Sequence, residues 1–104
     1  MCQAVFSKDI ALPAADATND HYGGLDIVGE HIYFLTAIED PWKYAGKRVA
    51  GEGDDKNGVW HIDCHGCAHC VDLHAPDDDD DENLSQARCN ASTTIVNWLK
   101  EDAK

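Results

Sequence analysis

The chain has 104 residues, 43% of them apolar, and carries 20 acidic against 8 basic side chains for a formal charge of −12. Its length suits one domain, and three Trp, three Tyr and two Phe supply one modest core, which excludes wholesale disorder. With two Arg and no cluster of Lys or Arg, direct binding to a phosphate backbone is excluded and an anionic membrane surface is disfavoured.

A basic protein surface or metal ions are the partners that such acidity favours, with plain solubility as the competing explanation. The N-terminal run Met1 to Asp9 has no basic region followed by a long apolar stretch, so no secretory signal is expected. No apolar window approaches membrane-spanning length either. Five cysteines, three of them within seven residues, do not resemble the even, dispersed set of a secreted disulfide framework. A reducing, cytoplasmic setting is therefore expected.

Taken in chain order, Gln3–Phe6 predicts a short strand, and Cys2 is a candidate N-terminal nucleophile once Met1 is removed. A loop-like stretch rich in Ala, Asp, Thr and Asn then leads to Gly23-Gly24. Residues 31–38, rich in β-branched and aromatic side chains and closed by Asp40-Pro41, predict a buried strand. The rival is a helix with Val28, Ile32 and Leu35 on one face. Residues 47–50 and 59–62 flank a Gly- and Asp-rich segment ending in Asn57-Gly58, a pair that accepts positive φ at low cost and commonly reverses a chain. This pattern predicts an antiparallel hairpin.

Seven of the fourteen residues from His61 to His74 are Cys or His. Cys64 and Cys67 stand at the C-x2-C spacing, which lets two thiolates face one ion across a tight turn, and Gly66 gives that turn its freedom. Cys70 repeats the interval, His74 follows at C-x3-H, and Cys89 is a remote fifth donor roughly 140° from Leu84 at 100° per residue. Zinc is the expected ion, since soft thiolates and imidazoles select it. The alternative is a 4Fe-4S cluster on Cys64, Cys67, Cys70 and Cys89, whose first three members match C-x2-C-x2-C. With no stable metal, a reduced or disulfide Cys64/Cys67 pair remains. Covalent haem is excluded, because C-x-x-C-H requires His where Ala68 and Val71 stand. His61 reads as a sheet residue, His65 and His69 as pointing away from the ion, and His21 and His31 as isolated.

Beyond this segment, Pro76 and the acidic run Asp77–Glu82 separate the loop from a helix over 82–102, with Leu84, Ala87, Ala91, Ile95, Trp98 and Leu99 on one stripe. Asp63 and Asp72 could serve a catalytic zinc as base. Against that, H-E-x-x-H, the deaminase signature, G-x-S-x-G, the P-loop and G-x-G-x-x-G are all absent. The sequence thus predicts one α+β domain, residues 1–104, with a small antiparallel sheet (31–38, 47–50, 59–62), a metal loop at 64–74 and a C-terminal helix. The expected function is a zinc-stabilised binding module, an inhibitor or nucleic-acid mimic for a basic partner such as a nucleic-acid-binding protein. An iron–sulfur electron carrier and a metal-dependent or redox-thiol enzyme are the alternatives.

Overall fold

A computed structural model describes residues 7, 9 and 11–103. The strand expected at Gln3–Phe6 and the candidate nucleophile Cys2 lie outside the described residues. Helix α1 (Ala15–Tyr22) comes first, then a short 3-10 turn (Gly24–Asp26) and strand β1 (Tyr33–Ala37). Strand β2 (Gly58–Ile62), a second 3-10 turn (Val71–Leu73) and helix α2 (Glu82–Asp102) follow. The stretch expected to be loop-like is α1, which Gly23 ends at φ +90 by donating its N–H to Asn19 O at 2.7 Å.

The sheet corrects the expected hairpin. Strands β1 and β2 are parallel, in register from Tyr33 opposite Gly58 to Ala37 opposite Ile62, and residues 47–50 form no strand. Two local groups explain the difference. Asp54 is buried, with its Oδ2 2.6 Å from Lys47 Nζ and accepting the Gly51 N–H at 2.7 Å. It gathers 47–54 into an irregular connection, long enough for the crossover that parallel strands need. Asn57 does not turn the chain back. Its Oδ1 accepts the Ile32 N–H at 3.0 Å and its Nδ2 donates to Gly29 O at 3.0 Å, which ties the starts of both strands together.

Alternation along the strands gives the sheet two faces. Ala37 and Ile62, with Leu35 and Trp60 at the margin, meet Leu84 and Ala87 of α2 and the sulfur-bearing residues Cys64 and Cys67. Ile62 is the one large side chain among the described residues that is fully enclosed. On the other face, Thr36 Oγ1 and His61 Nδ1 hydrogen-bond at 2.8 Å across the ladder.

Helix α2 starts where the acidic run predicts, with the Asp81 carboxylate accepting the Asn83 N–H at 2.8 Å. Its apolar stripe is enclosed at Leu84 and Ala87; farther along, Trp98 stacks on His31 with ring centroids 5.2 Å apart, while Ile95 and Leu99 remain 45% and 64% exposed. The radius of gyration is 17.5 Å, against about 13 Å for a compact domain of this length. Among the described residues no helix is long and apolar enough to cross a membrane.

Candidate active site

Both strands end at the same edge of the sheet because they run parallel, so the segments that leave them meet there. The Ile38 N–H donates to Ile62 O at 2.9 Å, continuing the ladder one step past β1. One residue on, the Glu39 N–H donates to Cys67 O at 3.0 Å, and Glu39 Oε1 accepts the Gly66 N–H at 2.9 Å. The chain then turns at Asp40-Pro41, where Asp40 Oδ1 accepts the Trp42 N–H at 2.8 Å. That bond fixes the carboxylate's rotamer and leaves Oδ2 facing the loop beyond β2.

This loop is shaped by its sulfurs and by one glycine. Cys64 and Cys67 form a disulfide, with Cα atoms 5.4 Å apart, across a turn closed by the Cys67 N–H to Cys64 O at 3.2 Å. Gly66 occupies the turn at φ +76, a conformation that side-chain-bearing residues avoid. Both half-cystines are buried in the core. The chain emerges at His69 and passes Cys70 at φ +58, a left-handed conformation stored beside the histidine. The 3-10 turn that follows is held from α2, where Arg88 donates to Asp72 O at 3.1 Å and Val71 O at 3.2 Å while pairing with Asp80.

Between these two supports, His69 Nδ1 lies 2.9 Å from Asp40 Oδ2. The carboxylate side chain is 10% exposed and the imidazole 58%, so the pair has a sunken acid and an open ring. The hydrogen bond from His69 holds the Asp40 carboxyl below its ordinary range, helped by the Trp42 N–H and the nearby charges of His69 and Lys43, while burial opposes the shift. An ionised carboxylate only accepts hydrogen bonds, so Nδ1 carries the proton of this bond, and in the neutral form of the ring Nε2 keeps a free lone pair. A base oriented by a buried carboxylate is the arrangement that lets histidine take a proton from a nucleophile.

The expected metal loop does not assemble. Cys64 and Cys67 are bonded to each other, Cys70 and Cys89 are exposed free thiols, and His74 is exposed. Among the described residues no group of three or more His, Cys, Asp or Glu is placed to hold a metal ion. The same crowding of sulfur that suggested ligation is met by a covalent bond, which satisfies two donors without an ion. Neither member of the central pair was expected at the site: Asp40 read as the close of a strand, and His69 as a bystander between cysteines. The available signal was positional, since Asp40 and His69 each follow the carboxyl end of a strand, where α/β sheets place their chemistry.

A family model described as serine carboxypeptidase S28 matches residues 1–91. The chain is 34% identical over 73 residues to "Probable serine protease EDA2" of Arabidopsis thaliana, covering 70% of this chain and 14% of that protein. It is 27% identical over 97 residues to a Caenorhabditis elegans protein likewise named as a serine protease, K12H4.7, covering 92% of this chain and 18% of that protein. The chain thus spans less than a fifth of the length of either relative. No solved structure matches it. These matches place the chain in the serine carboxypeptidase S28 family and overturn the expected zinc-stabilised binding module, with its inhibitor role and its electron-carrier alternative.

Proposed function

We propose that this chain, which belongs to the serine carboxypeptidase S28 family, supplies the aspartate and histidine of a serine-peptidase catalytic centre. The observation that carries the proposal is the 2.9 Å contact of His69 Nδ1 with the sunken Asp40 carboxylate at the carboxyl edge of a parallel sheet. In this role His69 Nε2 takes the proton of an attacking serine hydroxyl and returns it to the leaving amine. Asp40 holds the imidazole in the productive tautomer and stabilises its protonated form.

The nucleophilic serine comes from outside the described residues. Among them no serine hydroxyl hydrogen-bonds His69, and the 104 residues contain no G-x-S-x-G. The order Asp40 then His69 suits the chain order Ser, Asp, His of α/β-hydrolases, which puts the serine on the N-terminal side. The open shape supports the same reading, because parallel sheets are ordinarily covered on both faces and two strands alone are marginal. The Cys64–Cys67 disulfide further supports an oxidising compartment, against the reducing one that the crowded cysteines suggest.

The test is a graft of this chain onto the Arabidopsis relative in place of the stretch it matches, with the relative itself as control and a fluorophosphonate serine probe as readout. The graft is expected to react with the probe. Asp40→Asn should slow that reaction on the order of 10⁴-fold, the scale seen when a triad histidine loses its orienting carboxylate. Equal labelling of the graft and its His69→Ala variant would refute the proposal.

A further inference from the structure

We infer that Glu39 is a positioning residue, one that sets the His69 loop in register with the Asp40 carboxylate. The inference rests on the Asp–His reading of the site and adds a residue that touches neither reacting group. Glu39 stands immediately before Asp40 and bonds the opposite loop in both directions. Its side chain accepts the Gly66 N–H at 2.9 Å, and its own N–H donates to Cys67 O at 3.0 Å. Two adjoining residues of the loop, three and two positions before His69, are therefore held by one residue adjoining the orienting acid.

The loop's construction makes that hold decisive for the pair. The disulfide locks Cys64 to Cys67, so the turn moves as one piece, and an anchor on Gly66 and Cys67 sets where the whole piece sits. On its far side, His69 is followed by the turn that Arg88 holds from α2. The buried half-cystines and the Asn83 Nδ2 bond to Asp63 O at 2.8 Å hold the base of the loop, and the Glu39 contacts hold its rim, at Gly66 and Cys67, to the strand end beside Asp40. The Asp40–His69 bond spans 2.9 Å, and a shift of well under an ångström takes it beyond useful hydrogen-bond length. Glu39 is itself exposed and outside the core of Ile62, Leu84, Ala87 and the half-cystines, so the fold does not depend on it.

The test is proton NMR of the intact chain at neutral pH, following the downfield Nδ1–H resonance of His69, assigned by its absence in His69→Ala. The wild type shows it in slow exchange with water. Glu39→Gln, which keeps an Oε1 acceptor for the Gly66 N–H, retains it. Glu39→Ala exchanges roughly tenfold faster or loses the signal, while its melting midpoint stays near wild type, as for a local opening. Glu39→Asp, with the acceptor withdrawn by one methylene, falls between the two.

Wild-type exchange in Glu39→Ala overturns the inference, as does loss of the entire fold in that variant, which would make Glu39 a stability residue. A wild-type chain lacking the resonance would instead overturn the Asp–His reading itself, and the inference with it.

Discussion

Reduction of the Cys64–Cys67 disulfide should destabilise the chain, whereas a chelator should leave its stability unchanged. The bond closes a loop of four residues, counting both half-cystines at a separation of three. In the chain-entropy account such a loop restricts the unfolded state by roughly 6 cal/mol/K, or about 2 kcal/mol at 25 °C. For a chain of this size, with a urea slope of about 1–2 kcal/mol/M, the unfolding midpoint should fall by roughly 1–2 M when a thiol reductant is added. Paired urea titrations of the same preparation, with reductant or with EDTA, read the effect directly. Destabilisation by EDTA would return the two sulfurs to a metal, and indifference to reductant would mean that no disulfide supports the fold; either result would refute the reasoning.

Ile62→Ala removes the one fully enclosed large side chain among the described residues and should lower stability by about 2–5 kcal/mol, read from the same titration. Gly58→Ala would place a methyl 2.2 Å from the Tyr33 ring, whose displacement should cost about 1–3 kcal/mol and shift the Tyr33 ring resonances. Acid should weaken the fold in a defined window. Asp40 (bonded to His69), Asp54 (bonded to Lys47) and Asp80 (bonded to the Asp77 N–H and Arg88) all have carboxyls lowered from the ordinary 3.8. Each releases its proton more readily when folded than when unfolded, so the stability it adds is present above that value and lost as pH falls through the folded values. Melting midpoints should therefore hold from neutral pH to about pH 4 and drop below it, and a midpoint that rises on acidification would contradict the assignment.

Local signals in the sequence located α2 and both strands, since helical stripes and β-branched runs are written within a few residues of each other. The direction of strand pairing was not legible. Asn57-Gly58 has the composition of a tight turn, and only the placement of Gly29 and Ile32 beside Asn57 gives its carboxamide a different task. The sulfur-rich loop was legible as a special segment, but a C-x2-C pair serves a disulfide as well as an ion, and spacing does not separate the two. The Asp40–His69 pair was hidden for a further reason: its members are 29 residues apart, and their meeting depends on the parallel register of β1 and β2. An antiparallel pairing would put the carboxyl ends of β1 and β2 at opposite edges and keep the two residues apart.

The nitrogen-15 spectrum of the His69 ring in the intact chain, recorded at neutral pH, tests the central claim most directly. Protonated Nδ1 with a bare Nε2, converting to the opposite tautomer or to a mixture in Asp40→Asn, is the expected result. A proton on Nε2 with Nδ1 bare in the wild type would contradict the account, because an ionised Asp40 has nothing to accept from an unprotonated nitrogen and the ring would have no base to offer a serine.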